Sequence, residues 1–128
     1  MRERSLWSWH LLAGLVILPL LALHMGVMHL DEIVRIFNPV KGEPIAWANV
    51  VARGKMIFFT ITYILLLGTA LYHGLYGLRT ILFELRPADW LKRTISTVLL
   101  VGGAALFLVG FWAAVAAHGV AQAAAIGG

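Results

Sequence analysis

Five histidines are the side chains in this sequence best suited to chemistry, and two of them fall well inside long apolar runs. His24 lies in a run from Leu11 to Leu30, and His73 lies in one from Met56 to Tyr76. An ionisable side chain at membrane depth is costly and marks a functional site by default. A neutral imidazole there needs a partner, and the iron of a b-type haem is a common one. Both are candidate haem ligands; the alternative is a buried imidazole bonded to a hydroxyl or to backbone.

The expected depths of these two histidines differ. At 1.5 Å per helical residue, His73 lies roughly 9 Å inside the boundary at Arg79, and His24 lies roughly 10 Å inside the opposite boundary at Asp31. In a hydrocarbon core about 30 Å thick, the two rings therefore differ by roughly 10 Å in depth. Both axial ligands of one iron lie at nearly the same depth, so we expect that these two do not share one. Each needs an opposing histidine from another chain, or one of them is not a ligand.

The other three histidines lie nearer the ends of the apolar runs and are most simply interfacial polar residues: His10, His29 and His118. His10 is also a candidate contact for a haem propionate or a quinone ring. It is fourteen residues from His24, which puts both on nearly one helix face and is a spacing that stacks two haems in one bundle. The other two apolar runs offer no matching pair, which argues against that arrangement.

The elements that must position these histidines follow from composition. The chain has 128 residues, of which 61% are hydrophobic and 12% charged, and its mean hydropathy is +0.88. Soluble domains are about 45–50% apolar and about 25% charged, so an ordinary soluble domain and a disordered tail are excluded. The net charge of +4 sits at the ends of the apolar runs, where lipid headgroups explain it better than nucleic acid does. The absence of cysteine excludes disulfides, cysteine-ligated iron–sulfur clusters and covalently attached haem in this chain.

Three segments are long and apolar enough to cross a bilayer, which takes about 20 residues. They cover approximately residues 9–30, 56–79 and 94–118. Because backbone polar groups in lipid must bond within their own segment, these are helices rather than strands. We predict an all-α integral membrane protein, a single domain over residues 1–128. Three helices alone have little interior, so the chain is expected to form part of a multi-subunit bundle.

A secretory signal peptide is the alternative for the first span, because Arg2 and Arg4 precede it. The apolar run is longer than a signal peptide needs, and no small-residue cleavage pattern follows it, so we expect a retained helix. Six cations on the N-terminal side face four on the other, which predicts a cytoplasmic N-terminus. The two sets are Arg2, Arg4, Arg79, Arg86, Lys92 and Arg93 against Arg35, Lys41, Arg53 and Lys55.

Four further predictions concern the connections between the spans, the third span and the segment that follows it. Asn38-Pro39 and the segment 41–44 are typical of turns, and Ile45, Trp47, Val50 and Val51 suggest a short helix in the membrane interface. A stripe of small residues on the third span allows close helix packing, either within this chain or against a partner membrane subunit. Its members are Gly103, Gly110, Ala114 and Ala117. The Ala-rich segment after His118 is expected to be a frayed helix end.

Several function classes are disfavoured. All acidic residues lie outside the apolar runs, whereas a proton- or ion-coupled transporter is expected to bury at least one. The sequence has no Gly-rich phosphate loop, zinc-protease helix, nucleophile elbow or paired-carboxylate site, and we assign no catalytic residue. The classes that remain are a haem-binding electron-transfer subunit and a cofactor-free membrane anchor.

The second span carries a recognisable motif. His73 is followed by three residues, Gly77, Leu78, Arg79, four residues and Glu84. This pattern resembles the second-helix signature of the cytochrome b membrane-anchor subunits of succinate dehydrogenase and fumarate reductase. The segment from His10 to Gly14 is similar to a degraded form of that family's first-helix motif. The layout of three spans agrees over nearly the whole chain, and the specific motif covers about fourteen residues.

The resemblance implies a role in a succinate:quinone oxidoreductase of a prokaryotic cytoplasmic membrane. The partners would be a flavoprotein, an iron–sulfur protein, a second membrane-anchor subunit and lipids, with quinone as the electron partner. His73 would ligate haem b, His24 would ligate a second haem nearer the outer surface, and a partner subunit would supply the opposing ligands. Arg79 would meet a haem propionate or extend to lipid headgroups. A b-type cytochrome subunit of another quinone-linked dehydrogenase or hydrogenase is the alternative within electron transfer.

The first-helix motif departs from the family at two positions. Leu11 stands where one-haem members have arginine, and Ala13 stands where they have serine or threonine. The partner subunits or another site would then supply these groups of the quinone pocket, and the candidate quinone contacts in this chain are Ser8 on the inner side and Glu43 on the outer side.

Overall fold

The chain folds into four α-helices, as seen in a computed structural model that describes residues 2–30 and 43–126. They are α1 (Arg2–His29), α2 (Trp47–Gly54), α3 (Ile57–Glu84) and α4 (Asp89–Ile126). No strand occurs in these two described ranges, so the all-α prediction is confirmed. The predicted turn at 38–39, the first two residues of the one at 41–44, and the cations Arg35 and Lys41 lie outside the described residues. The described part of the second turn is confirmed, since the Ala46 N–H donates to the Glu43 carbonyl over 2.8 Å.

Three of the helices, α1, α3 and α4, are long and apolar enough to cross a membrane. The chain is thus a multi-pass membrane protein by the length and composition of its helices. Each helix continues beyond the apolar run that predicted it, because charged and polar residues at a membrane boundary can stay helical once the first turns exist. Pro19 lies inside α1 without ending it, as is tolerated in membrane helices.

The three long helices form a row rather than a closed bundle. α3 lies in the middle and packs against α1 on one side and α4 on the other, while α1 and α4 do not approach each other within the described residues. Neighbouring helices are antiparallel, since His10 lies beside His73 whereas His24 lies beside Tyr63. A row has little interior, as the sequence predicted. Only four apolar residues of the described chain are buried: Ala13, Val27, Phe59 and Ala121.

A short turn connects α3 to α4. Arg86 adopts a positive φ of 50°, which is the left-handed conformation that ends many helices. Its N–H donates to the carbonyl of Phe83 over 3.0 Å, and Pro87 follows, which cannot continue the α3 hydrogen-bond pattern. The turn therefore fixes α4 alongside α3 with no long connection.

The small residues of α4 pack it closely against α3. A Cβ at Gly103 would overlap Leu75 Cδ1, and a Cβ at Gly110 would overlap Leu67 Cδ2. The two glycines are thus used within the chain, which was one of the two interpretations of this stripe. On α3, Gly74 has open space around the position of a Cβ.

Helix α2 confirms the short helix predicted from Ile45, Trp47, Val50 and Val51. Its polar side chains are turned inward: Asn49 is fully buried and donates to the Glu43 carbonyl over 3.2 Å. Arg53 is 5% exposed and donates to the Pro44 carbonyl over 2.7 Å. Trp47 is 68% exposed. A helix with polar groups buried and apolar groups outward is suited to lie on a membrane surface.

The end of α4 is ordered helix, so the prediction of a frayed end after His118 is wrong. The α4 helix continues to Ile126 because this segment has contacts the sequence does not reveal. His118 Nδ1 lies 2.6 Å from the Gly54 carbonyl oxygen, and Gln122 donates to the Lys55 carbonyl over 3.1 Å. Ala121 is 3% exposed, and a Cβ placed on Gly54 would lie 2.9 Å from the Cβ of Ala121. The last turns of α4 therefore hold α2 and the start of α3.

The close packing at Gly103 predicts a strong effect of side-chain size. Gly103→Leu should lower the free energy of unfolding by about 1–3 kcal/mol, because added methylenes in a tight contact force neighbours to shift. The matched control is Gly102→Leu, since nothing lies within 4 Å of a Cβ there. Thermal unfolding in detergent, followed by circular dichroism, measures both. Equal melting temperatures for the two variants would contradict the close packing.

The bond between His118 and Gly54 predicts local loosening when the imidazole is removed. His118→Ala should make the amides of residues 47–54 exchange hydrogen about fivefold faster, as expected for the loss of about 1 kcal/mol of hydrogen bonding. His29→Ala is the control, because His29 is exposed at the far end of α1. Hydrogen–deuterium exchange read by mass spectrometry measures the effect, and unchanged exchange in His118→Ala would show that this bond does not hold α2.

Candidate functional site

Two imidazoles lie face to face where α1 packs against α3. The ring centroids of His10 and His73 are 4.1 Å apart, and the ring planes differ by 8°. His10 lies eight residues from the start of α1, roughly 12 Å along the helix. The sequence analysis treated His10 as an interfacial residue, whereas in the fold it lies beside His73.

The backbone of α1 fixes which nitrogen of His73 carries a proton. His73 Nδ1 lies 3.1 Å from the carbonyl oxygen of His10. A carbonyl oxygen only accepts hydrogen bonds, so Nδ1 donates and carries the proton of the neutral ring. Nε2 then carries a lone pair, and it makes no hydrogen bond to a described residue. The imidazole is oriented as a metal-ligating histidine commonly is, with its second nitrogen bonded to a carbonyl.

Gly14 makes room for the His73 ring. A Cβ at this position would lie 3.0 Å from His73 Cε1 and 3.2 Å from Nδ1, which is closer than side-chain atoms normally approach. Gly14 is one helical turn from His10, so one face of α1 supplies the stacking ring, the accepting carbonyl and the gap. In the sequence analysis this glycine was only the last residue of a degraded motif.

His10 itself has an unsatisfied nitrogen. Its Nδ1 is buried and has no hydrogen-bond partner among the residues that the structure describes. The neighbouring groups are the Tyr76 ring, with a centroid 5.1 Å away, and Gly77, where a Cβ would lie 3.4 Å from His10 Cε1. A buried polar group left unpaired costs about 1–3 kcal/mol, so the imidazole pair has unused capacity for a polar ligand.

His24 occupies a separate site toward the other end of the same helix pair. Its ring meets the Tyr63 ring edge to face, with centroids 6.3 Å apart, and its Nδ1 is likewise buried without a partner in the described chain. Tyr63 precedes His73 by ten residues of α3, which is roughly 15 Å. His24 and His73 therefore lie at different depths and do not share one metal ion, as the depth estimate predicted.

The remaining predicted site residues lie apart from the imidazole pair. Arg79 faces α4, where its Nε donates to Ser96 Oγ over 3.2 Å and its guanidinium lies 4.4 Å from the centroid of the Phe83 ring. Ser8 is exposed and donates to the Arg4 carbonyl over 3.0 Å. Glu43 is exposed before α2, at the opposite end of the molecule from Ser8. The structure thus brings His10 to His73, but it brings none of these three residues to them.

Tyr72 is a residue of this region that the sequence analysis missed. Its hydroxyl donates to the carbonyl of Leu6 over 2.9 Å, which joins α3 to the first turns of α1. The sequence does show a tyrosine directly before His73, which could have marked Tyr72 as part of the site. Its hydrogen-bond acceptor, however, is a backbone carbonyl, which no residue type in the sequence indicates. Within residues 2–30 and 43–126, no group of three or more His, Cys, Asp or Glu side chains is arranged to hold a metal ion.

Comparison with known proteins identifies no relative. No protein-family model, no curated protein and no solved structure matches this chain. The resemblance to the cytochrome b anchors therefore rests on the motif from His73 to Glu84 and on the layout of three spans.

The space left by the missing side chain of Gly14 leads to a prediction about the orientation and tautomer of the His73 ring. Gly14→Val should displace the His73 ring and lengthen its bond to the His10 carbonyl, because the added methyl groups would occupy the position of the ring. Nitrogen NMR of the chain labelled at histidine reports this as a mixture of ring tautomers in place of one. Gly26→Val is the control, since a Cβ at Gly26 meets nothing within 4 Å. A single unchanged tautomer in Gly14→Val would refute the assignment.

Proposed function

We propose that this chain is the haem b-carrying membrane-anchor subunit of a succinate:quinone oxidoreductase, with His73 as an axial ligand of the iron. The observation that carries the proposal is the contact of His73 Nδ1 with the His10 carbonyl at 3.1 Å. It keeps the proton on Nδ1 and reserves the Nε2 lone pair, and a carbonyl partner on the second nitrogen is the usual arrangement for a metal-ligating histidine. The motif from His73 to Glu84 supports the same role.

The residues present fit one half of a bis-histidine site. His10 and His73 are stacked face to face with centroids 4.1 Å apart, so the two rings would not hold one iron between them. The second ligand would therefore come from another chain, which agrees with a second membrane-anchor subunit. The row of helices, with its outward faces uncovered by this chain, has room for such a partner.

His24 is the candidate ligand of a second haem. Its buried Nδ1 lacks a partner in the part of the chain that the structure describes, and it lies roughly 15 Å from His73 along α3. The distance requires a separate haem. As for His73, the opposing ligand would come from the partner subunit.

Haem b supplies one-electron transfer when bound, and this chain supplies position and environment. Gly14 admits the His73 ring, the His10 carbonyl sets its tautomer, and Tyr72 fastens α3 to α1 through the Leu6 carbonyl. Quinone would exchange electrons with this centre in the membrane.

The docking of a flavoprotein and an iron–sulfur protein is part of the same proposal. They would bind on the side where α1 begins and α3 meets α4. The excess of Lys and Arg on that side supports a cytoplasmic location there, by the positive-inside rule. The membrane would be the cytoplasmic membrane of a prokaryote.

A cofactor-free anchor is the second candidate, and one observation favours it. His73 already has a hydrogen bond and a stacked neighbour within the chain, so its burial does not demand iron. In that case the imidazole pair would serve only to fasten α1 to α3.

Haem content separates the two candidates. His73→Ala should remove a haem from the purified complex, because the iron loses an axial ligand. His29→Ala is the matched control, as His29 is exposed at the end of α1. The measurement is the haem-to-protein ratio from the reduced pyridine–haem spectrum. If His73→Ala keeps the haem content of the unmodified complex, the assignment of His73 is rejected.

The same measurement extends to the second haem and to the partners. In a complex with two haems, His24→Ala should remove one of them and leave the other. Mass spectrometry of the co-purifying soluble subunits distinguishes a succinate:quinone oxidoreductase from another quinone-linked dehydrogenase or a hydrogenase. A flavoprotein together with an iron–sulfur protein of the succinate dehydrogenase type is the expected result.

A further inference from the structure

A groove runs along the contact between α3 and α4, and Leu6 of α1 lines it as well. Its volume is about 620 Å³, and its walls are mainly apolar. Leu75 on α3 and Gly103, Ala104 and Phe107 on α4 line it. Leu100, at its edge, is 73% exposed, so the groove opens outward to the surroundings of the helices. Neither His10 nor His73 lines it, but Tyr72 and Tyr76 do, and the Tyr76 ring also neighbours His10, so the groove and the candidate haem site share one wall.

Small residues create the groove, and an aromatic ring closes it. Gly103 and Ala104 on α4 remove side-chain volume from one wall, while Gly68 does so on α3. At that far end, a Cβ on Gly68 would lie 3.2 Å from Phe107 Cε2, so the Phe107 ring packs directly on the helix backbone. The groove thus ends at Phe107, within the apolar part of both helices.

The length of the groove matches one leaflet of a bilayer. It extends along α3 from Arg79 to Gly68 and along α4 from Ser96 to Phe107, which is eleven residues in each case. At 1.5 Å per residue this is roughly 16 Å. A hydrocarbon core about 30 Å thick gives each leaflet roughly 15 Å, the depth that a single acyl chain spans. The groove therefore has the length of one lipid tail.

The open end of the groove is polar and positively charged. Arg79 and Ser96 line it there, joined by the bond from Arg79 Nε to Ser96 Oγ at 3.2 Å. Arg93 is exposed and lies three residues before Ser96, one turn further along the same face of α4. Guanidinium groups bind phosphate oxygens in a fork geometry. Cations at membrane boundaries attract anionic headgroups, whereas a zwitterionic headgroup gains less from two arginines because its own cation opposes them.

We propose that this groove, here called the α3–α4 groove, binds one anionic phospholipid. Its phosphate contacts Arg79 and Arg93, and one acyl chain lies along Leu75, Gly103 and Ala104 as far as Phe107. The bound lipid fills the groove beside the α3–α4 contact, on the surface of the helices that faces the membrane. None of the proposed lipid contacts involves His10 or His73, so the lipid site is tested separately from the proposed function.

The test is native mass spectrometry of the full-length chain together with the subunits that purify with it. The probes are dioleoyl phosphatidylglycerol and dioleoyl phosphatidylcholine, which have the same tails and differ in headgroup charge. We expect one retained phosphatidylglycerol per chain, with at least a tenfold preference over phosphatidylcholine. Arg93→Gln should reduce that preference several-fold without changing the subunit composition.

Ala104→Phe tests the tail-binding part, because the new ring would occupy the groove next to Gly103. It should lower the retention of phosphatidylglycerol about tenfold. The matched control is Ala105→Phe, which makes the same change at the next residue, an exposed position that does not line the groove. Circular dichroism confirms that both variants keep their helical content.

Four results would overturn the proposal. The first is equal retention of the two lipids by the unmodified chain, and the second is equal retention of phosphatidylglycerol by Ala104→Phe and Ala105→Phe. The third is displacement of the lipid by added ubiquinone. The fourth is loss of a membrane subunit from the Ala104→Phe complex but not from the Ala105→Phe complex. The third result would identify a quinone site, and the fourth would identify the seat of a partner helix. Haem content is measured on the same samples, so failure of the lipid site is distinguishable from failure of the haem assignment.

Discussion

The contact between one backbone carbonyl on α1 and one imidazole on α3 is the interaction on which the candidate site depends. A histidine at this depth has no water to satisfy it, so its two nitrogens must find partners in the protein or in a ligand. The His10 carbonyl takes the proton of His73 Nδ1 at 3.1 Å, and the stacked His10 ring covers one face. What this leaves for chemistry is a single lone pair in a defined direction. Gly14 favours that arrangement, because a Cβ there would lie 3.0 Å from His73 Cε1 and would crowd the ring.

The row of three helices gives α3 two different sides. Toward α1 it presents His73, Tyr72 and Tyr63, which meet polar or aromatic groups of that helix. Toward α4 it presents leucines that meet glycines, so that the backbones come close and a groove remains beside the contact. Within the described chain α1 and α4 do not pack on each other, but Leu6 of α1 and Tyr72 and Tyr76 of α3 line the groove as well. The middle helix therefore carries both the polar site and the apolar groove, with its tyrosines between them.

The opposite end of the molecule is held by polar contacts rather than by an apolar core. His118 and Gln122 near the end of α4 bond to backbone carbonyls at the junction of α2 and α3. The side chains of Asn49 and Arg53 donate to the backbone carbonyls of Glu43 and Pro44, just before α2, while Trp47 is exposed. In water this pattern would be inverted. At a membrane surface it is favourable, because backbone carbonyls that water cannot reach gain donors and the indole gains a lipid interface.

The sequence alone determined the class of the protein, since only helices satisfy their own backbone in lipid and the three apolar runs are long enough to cross it. It also determined that His24 and His73 lie at different depths, because helical rise is fixed. It did not determine that His10 meets His73. Residues 30–56 separate α1 from α3, and a connection of that length fixes no register between two helices. The same uncertainty hid the Tyr72 bond and the ordered end of α4, whose partners are backbone carbonyls that every residue carries. Only the packed helices decided which carbonyl faces which side chain, because that choice depends on rotation and register between helices that are distant in the chain.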